Sequence, residues 1–173
     1  REQLHVVERN TDRMLRLVNQ ILDFRKIQKN KMKLRIEQID IVPFVRHIMD
    51  NFESLAEEHH IDFVFESEMP SLKLWVDADK LEKIVFNLLS NAFKFTCSGG
   101  RVDVFVSLVE GQDSREMLEI RVADTGIGIK KEDRERIFGH FYQVDYPDMS
   151  FSGGGGSLSI VRDFVTLHDG TVN

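Results

Sequence analysis

Residues 77–96 read DADKLEKIVFNLLSNAFKFT, and this segment predicts a long helix with two distinct faces. Asp77 is a favourable N-cap residue, which places the helix at 78–95. The apolar face of this helix is formed by Leu81, Ile84, Val85, Leu88 and Ala92. A polar stripe lies on another face, because three residues recur at i, i+4 and i+7: Asn87, Asn91 and Lys94. The stripe is either an ordinary solvated surface or a set of ligands, since carboxamides offer oxygen to a hard cation and an ammonium group offers charge to phosphate.

The sequence on either side of this helix predicts strands and further helices. Alternating apolar residues indicate strands, and apolar residues spaced by three and four indicate helices. The predicted elements are a strand near 34–36, a helix after Asp40, a strand at 61–65, strands at 102–108 and 118–122 joined by a turn at 111–115, a short charged helix after Ile129, and a helix at 157–168 that stops at Asp169-Gly170. We therefore expect an α+β fold, a two-layer sandwich with helices on one face of a mixed sheet.

The N-terminal segment, residues 1–29, has a different pattern. Apolar residues recur at spacings of three and four from Leu4 to Ile21, which predicts one long helix. Such a stripe needs a helical partner that the sequence does not supply, so we expect a helix bundle formed by a homodimer. Residues 30–39 are then a linker and a first strand, and residues 40–173 form the main domain.

Composition excludes several classes of protein. The net charge of −6 gives no basic surface for nucleic acid. A single cysteine, Cys97, excludes an internal disulfide framework and a zinc site built from several cysteines. No apolar run reaches the ~18 residues of a membrane span, so we expect no direct membrane contact from these residues.

Two glycine-bearing segments complete the chemistry. Residues 124–129, DTGIGI, follow a predicted strand. The Asp124 carboxylate can accept a hydrogen bond from an amine such as that of adenine. The two glycines let a flat ligand approach the backbone closely. Residues 153–156 are four glycines before a helix, whose first amides can bind phosphate. A tight turn and a flexible connector are the alternative interpretations.

In order and spacing, these three elements resemble the ATP-binding domain of sensor histidine kinases, a branch of the superfamily of gyrase, heat-shock chaperone and mismatch-repair ATPases. The matching segments are 87–96 to the asparagine box, 124–129 to the first glycine box, 137–142 to the phenylalanine box, 153–161 to the second glycine box, and 4–29 to the second helix of the dimerisation and histidine-phosphotransfer hairpin. Residues 17–26 look most like the hybrid kinases of Bacteroides-type bacteria. The implied fold is the Bergerat-type ATP-binding fold.

The resemblance also implies roles for individual residues. Asn91 would ligate Mg²⁺, Lys94 would contact the phosphates of ATP, and Asp124 would bind the adenine amino group. Phe95, Gly126, Gly128 and Ile129 would line the adenine pocket. A lid over the nucleotide would bring Gly153, Gly155, Ser157 and Leu158 to the phosphates.

Asn87 separates a kinase from an ATPase. The ATPase branches carry a glutamate four residues before the metal-binding asparagine, whereas Asn87 cannot act as a base at neutral pH. The resemblance therefore implies that ATP is kept for transfer of its γ-phosphoryl group to a histidine on another hairpin helix, and then to a receiver aspartate. The chain would be a cytoplasmic domain of a protein anchored in the bacterial inner membrane.

Three departures from the family pattern leave alternatives open. Ser157 replaces a glycine of the second glycine box, and either caps the helix or obstructs the phosphates. The phosphoacceptor histidine and the last strands of the family are absent from this sequence, so we expect the chain to bind ATP without phosphorylating itself. A non-catalytic dimerising module, or an ATPase of the same superfamily, are the other interpretations.

Overall fold

The computed structural model describes residues 18, 22, 25, 32–111, 114–139 and 157–173, and the chain divides into residues 35–129 and residues 1–34 with 130–173. Strand-forming and helix-forming segments alternate in the first unit. Their bounds are β1 Ile36–Asp40, α1 Ile41–Glu58, β2 Asp62–Ser67, β3 Lys73–Asp77, α2 Ala78–Phe95, β4 Arg101–Glu110 and β5 Glu116–Asp124. The predicted helix over 78–95 and the predicted hairpin after it are confirmed.

The strands of this unit form two sheets. β2 pairs in parallel with β4, and β4 pairs antiparallel with β5, which gives a three-stranded mixed sheet. β1 pairs antiparallel with β3 in a separate two-stranded sheet. An α+β fold with a mixed sheet is therefore confirmed, but the second sheet and β3 were not predicted. β3 has only five residues and runs directly into α2, so its alternation is too short to be recognised.

The core lies between α1, α2 and the mixed sheet. Val102, Val104 and Val106 occupy every second position of β4 and are almost fully buried, whereas the residues between them are partly exposed. α1 contributes an apolar face to the same cluster, in which Val45 and Phe52 are buried. One detail of the predicted face of α2 is wrong: Leu89 is fully buried and Leu88 only half-buried. Both positions fit a helical stripe, and packing decides between them.

An aromatic cluster joins the two helices to the sheet. The ring of Phe93 on α2 stacks on Phe52 of α1 at a centroid distance of 5.3 Å and meets Phe63 of β2 edge-on at 4.9 Å. Each such pair contributes about 0.5–1.5 kcal/mol beyond the area it buries. Phe93 therefore positions the C-terminal half of α2 against both neighbouring elements.

The N-terminus of α2 is held by a buried ion pair. The Asp77 carboxylate accepts from the Lys80 amide at 3.1 Å, from Lys80 Nζ at 2.8 Å and from the Arg35 amide at 2.7 Å. Both side chains of the pair are more than nine-tenths buried. Burial alone raises the pKa of Asp77, but the hydrogen bonds from Lys80 and Arg35 outweigh it, so the pKa lies below its ordinary value of 3.8. The predicted N-cap is confirmed, and it has a buried cation as a second partner.

A second aspartate ties the start of α1 to the loop before β3. Asp40 stands at the N-cap position of α1, but its side chain does not cap that helix. Its carboxylate instead accepts from the Ser71 hydroxyl at 2.6 Å and the Leu72 amide at 2.9 Å. These two hydrogen bonds lower the pKa of Asp40.

The second unit contains a short helix and a series of turns. α3, Ser157–Leu167, buries Ile160, Val161 and Phe164, and ends before Asp169, which has φ 57°. Residues 131–138 form successive turns, so the short charged helix predicted there is wrong; the segment has no continuous apolar stripe to stabilise a helix. None of the described helices combines the length and apolarity that a membrane span requires.

The predicted N-terminal helix lies mostly outside the described residues. Val18, Leu22 and Arg25, spaced as i, i+4 and i+7, are helical. The predicted glycine segment at 153–156 lies outside the described residues, and the predicted domain boundaries at 29/30 and 39/40 stay predictions.

The buried ion pair leads to the first testable prediction. Asp77→Ala should lower the free energy of unfolding by about 3 kcal/mol, because Lys80 is left buried without its carboxylate. Asp77→Asn keeps one oxygen, which serves only one of the two amides because they donate to different carboxylate oxygens, and should still lose less than Asp77→Ala. Denaturation by urea at pH 7 measures both.

The same pair gives this prediction a pH dependence. Because the pKa of Asp77 is lowered by folding, its stabilisation is present above pH 3.8 and disappears as the pH falls through the lower, folded value. The unfolding free energy of Asp77→Asn should therefore fall less steeply in acid than that of the parent. Equal acid slopes would contradict this assignment.

Candidate functional site

The predicted polar stripe lies along the C-terminal half of α2. Asn87, Asn91 and Lys94 are all half-buried. Nδ2 of Asn87 donates to the Lys83 carbonyl, one turn earlier, at 2.6 Å. This bond orients the Asn87 carboxamide along the helix, with its nitrogen directed back at the backbone. The helix thus presents two amides and a cation on one side.

Lys94 and Phe95 interact at the end of the helix. Nζ of Lys94 lies 4.9 Å from the centroid of the Phe95 ring, within the range of a cation–π contact. Lys94 is also a basic residue in the last turn of α2, where the helix dipole favours a positive charge. Two predicted site residues are therefore in direct contact.

The turn after β5 is organised by its own side chains. Oδ1 of Asp124, the last residue of β5, accepts from the Gly126 amide at 2.9 Å. Thr125 contacts the start of β4 twice, because its amide donates to the Arg101 carbonyl at 3.0 Å and its Oγ1 accepts from the Arg101 amide at 2.9 Å. The carboxylate is thereby held at an exposed position at the end of the strand.

The end of α2 and this turn meet at the carbonyl group of Phe95. The Ile127 amide donates to the Phe95 oxygen at 3.3 Å. A Cβ atom on Gly126 would stand 2.4 Å from the same oxygen and 2.6 Å from Oδ1 of Asp124, so only glycine fits. The structure therefore brings the end of α2 and residues 124–127 together.

The turn also keeps apolar side chains at the surface. Ile127 and Ile129 are 44% and 41% exposed, and Gly128 between them has φ +71°, which favours glycine. Large apolar side chains exposed side by side next to a carboxylate are typical of a ligand-binding surface. Together, an amine acceptor, exposed apolar groups, an ammonium and two carboxamides can bind a flat amino-bearing base joined to an anionic group.

Sequence reasoning missed the residues that support this junction. Thr96 is buried, and its Oγ1 donates to the Ala92 carbonyl at 2.7 Å. A Cβ atom on Gly100 would meet Thr96 Cγ2 at 2.4 Å and Thr125 Oγ1 at 3.0 Å. The two threonines therefore pack on either side of Gly100. The Gly99-Gly100 pair directly after the helix was the available signal.

The remaining predicted site residues belong to the other unit. Gly153 and Gly155 lie outside the described residues. Ser157 is the first residue of α3, and Leu158 beside it is half-buried. Among the described residues, no three His, Cys, Asp or Glu side chains cluster closely enough to hold a metal ion.

Comparison with known proteins agrees with this geometry. Residues 76–173 match the family described as "Histidine kinase-, DNA gyrase B-, and HSP90-like ATPase". Hybrid signal transduction histidine kinase D of Dictyostelium discoideum is 39% identical over 173 residues, which are 99% of this chain and 11% of that protein. The chain thus spans about a tenth of the length of this curated relative.

Two solved structures share the fold. Full-length ShkA in complex with AMPPNP is 27% identical to this chain, with a TM-score of 0.79. The match covers 99% of this chain and 34% of the ShkA chain. Histidine kinase ThkA in complex with response regulator protein TrrA is 22% identical to this chain, with a TM-score of 0.67. The match covers 92% of this chain and 43% of that chain.

The chain belongs to the histidine kinase-, DNA gyrase B- and HSP90-like ATPase family. Within that family it is the catalytic ATP-binding domain of a histidine kinase of two-component signalling.

The close approach at Gly126 provides the second prediction. Gly126→Ala should lower the free energy of unfolding by about 1–3 kcal/mol and weaken nucleotide binding, because the new methyl group must displace the Phe95 carbonyl. Gly99→Ala is the control: Gly99 has φ +80°, so alanine strains its own backbone, but its Cβ would meet open space and displace no neighbour. Urea denaturation and nucleotide titration should show lost affinity in the first variant alone. Parent-like nucleotide affinity in Gly126→Ala would refute a role for the junction.

Proposed function

We propose that the chain binds Mg·ATP along α2 and the 124–129 turn, and transfers the γ-phosphoryl group to a histidine on a hairpin helix for onward transfer to a receiver aspartate. This proposal rests mainly on the contact at the Phe95 carbonyl, because that contact joins the turn that bears the Asp124 carboxylate to the helix end that bears the Lys94 ammonium group. The match to histidine kinases supports the choice of nucleotide.

Asp124 holds the adenine end of this site. One carboxylate oxygen is engaged by the Gly126 amide, which fixes the orientation of the group. The second oxygen then accepts a hydrogen bond from the exocyclic amine of adenine. Ile129, Phe95 and the backbone at Gly126 and Gly128 line the flat faces of the base.

Lys94 and Asn91 serve the phosphate end. The ammonium group offsets phosphate charge, and the Asn91 amide oxygen is a ligand type that Mg²⁺ accepts. Phosphate oxygens and water would supply its other ligands, as is usual for Mg²⁺ in nucleotide sites. When bound, Mg²⁺ neutralises charge on the phosphates, which is its usual contribution to phosphoryl transfer.

Asn87 keeps the site from hydrolysing ATP quickly. Its amide nitrogen is engaged by the Lys83 carbonyl, and a neutral carboxamide has no basicity with which to activate water. ATP is therefore preserved for an incoming imidazole. Catalysis rests on positioning and charge neutralisation rather than on a protein base supplied by α2.

The parts outside this junction complete the proposal. We assign Gly153, Gly155, Ser157 and Leu158 to phosphate binding from their match to the second glycine box, with the amides of a helix start as the phosphate ligands. The whole domain is a two-layer sandwich of the Bergerat type. The N-terminal helix belongs to a hairpin that dimerises a longer protein anchored in a bacterial inner membrane, of the hybrid-kinase kind.

A receiver domain is the proposed downstream partner. ThkA, which shares the fold, has been solved with a response regulator, and this supports the same class of partner here. The name of the Dictyostelium relative includes the word hybrid, which is consistent with a receiver in the same polypeptide.

Titration with ADP and AMPPNP, with and without Mg²⁺, tests the adenine site. Asp124→Asn should bind both nucleotides at least tenfold more weakly, because a charge-assisted hydrogen bond contributes about 1.5–3 kcal/mol. Asp50→Asn is a matched control on α1, where the exposed carboxylate lies 3.4 Å from Nδ1 of His47, and it should bind like the parent. Equal affinity in Asp124→Asn would remove Asp124 from the adenine site.

Replacing Asn87 tests whether transfer or hydrolysis is the preferred reaction. Asn87→Glu should increase phosphate release from ATP by roughly 10²-fold, as a general base gains access to water. Asn87→Gln adds the same length without basicity and should leave the slow rate unchanged. Similar rates in the two variants would contradict our explanation of the slow hydrolysis.

The same assay identifies the transfer product. With a histidine-bearing hairpin helix added, the parent chain should label that helix with acid-labile phosphate. Acid-stable label would instead indicate a hydroxyl acceptor and refute the histidine-kinase reaction.

A further inference from the structure

A groove outside the proposed nucleotide site runs between α1 and β2. Its volume is about 770 Å³. Met49, Phe63 and Phe65 form an apolar floor, and Phe63 belongs to the aromatic cluster that anchors α2. The guanidinium of Arg46 lies 4.4 Å above the Phe65 ring at one end. The floor is therefore rigid and apolar.

One rim of the groove is acidic. Asp50, Glu53 and Glu57 of α1 are exposed, and they follow one another on the side of the helix that borders the groove. The lining therefore holds three carboxylates, one guanidinium that is already placed over an aromatic ring, and the imidazole of His60. A basic ligand complements this charge distribution.

The other side of the groove is an open strand edge. The Asp62 amide donates to the Gly100 carbonyl at 2.9 Å, on the side of β4. Because successive residues of a strand direct their N–H and C=O groups to opposite edges, the amides of Phe63 and Phe65 point away from β4. In the part of the chain that the structure describes, no strand pairs with this edge of β2. Unpaired edge groups bind an added strand.

The dimensions of the groove match an extended peptide. From Arg46 to Glu57, α1 rises by about 17 Å at ~1.5 Å per residue. A strand of about five residues has the same length. Lysine or arginine side chains of such a strand can lay their aliphatic stems on the apolar floor and reach the rim with their charged ends.

The charges disfavour a second copy of this chain as the occupant. β2 itself carries Asp62 and Glu66, and pairing two β2 edges would bring these carboxylates near the acidic rim. Like charges on neighbouring strands are destabilising. A second β2 edge is therefore a poor occupant of this groove.

We propose that the open edge of β2 and the acidic groove beside it bind an extended segment of a partner protein with basic residues at alternate positions. The added strand pairs with the Phe63 and Phe65 backbone, and its basic side chains cross the groove to Glu53 and Glu57. This surface is separate from nucleotide binding, so it docks a partner without competing for ATP.

The probe is the blocked peptide Lys-Val-Lys-Val-Lys-Val, with Glu-Val-Glu-Val-Glu-Val as its charge-reversed counterpart. The 173-residue chain should bind the lysine peptide, more weakly as salt rises, and should not bind the glutamate peptide. In hydrogen exchange followed by NMR, the Phe63 and Phe65 amides should slow on binding, while the Asp62 amide, already bonded, stays unchanged. Unchanged exchange at saturation, or equal binding of both peptides, would overturn the proposal.

Charge-reversal variants test the rim. Glu53→Lys with Glu57→Lys should weaken binding of the lysine peptide by at least about tenfold. Glu82→Lys with Glu110→Lys changes the net charge equally at exposed positions outside the groove and should bind the peptide far more strongly than the rim variant. Equal losses in the two double variants would reduce the effect to net charge and refute the rim. A dimer that protects the Phe63 and Phe65 amides without peptide would assign the edge to a second copy and also overturn the proposal.

Discussion

At the C-terminus of any α-helix, the last four carbonyl groups have no partner within the helix. In α2 one of them, the Phe95 carbonyl, is taken up by the Ile127 amide of the turn after β5. Gly126 lets the two backbones approach closely enough for this bond to form. The position of Asp124 relative to Lys94 depends on this contact, because it joins the strand that ends in the carboxylate to the helix that carries the ammonium group.

The N-terminus of α2 is buried and fixed, whereas its C-terminus is partly exposed. At the N-terminus, Asp77 is fully enclosed and satisfied by amides and a buried lysine, so the helix start is fixed. At the C-terminus, polar and apolar groups remain partly exposed, as a binding surface requires. Phe93 connects these ends by packing on α1 and β2. A rigid base thus supports a site whose own groups stay accessible.

The sequence predicted elements whose signal repeats over many residues. α2 has five turns of consistent patterning and a cap, and β4 alternates along its whole length, so both were recognised. β3 was not predicted because its five residues give only two apolar positions on the inner face, Leu74 and Val76. The turns at 131–138 were mistaken for a helix because their charged residues favour helices locally, whereas a helix needs an apolar face to pack.

The side chains of the proposed site could be named from the sequence, but the backbone contact that joins them could not. The side chains of Asp124, Asn91 and Lys94 indicate by their type a hydrogen-bond acceptor, a metal ligand and a positive charge. The acceptor at Phe95 is a main-chain oxygen, which no side-chain pattern can indicate. For the same reason the edge of β2 could not be found from DFVFES, since the direction of an amide is set by pairing with β4.

The parallel pairing of β2 with β4 has a consequence for folding. Parallel neighbours need a crossover connection, and here that connection contains β3 and the whole of α2. The paired residues Asp62 and Arg101 are 39 positions apart in the chain. Such long-range pairings form slowly because loop closure must precede the contacts that stabilise it. Because the proposed nucleotide site lies on the crossover helix and on the turn after β5, a nucleotide can stabilise only those molecules in which this crossover has closed.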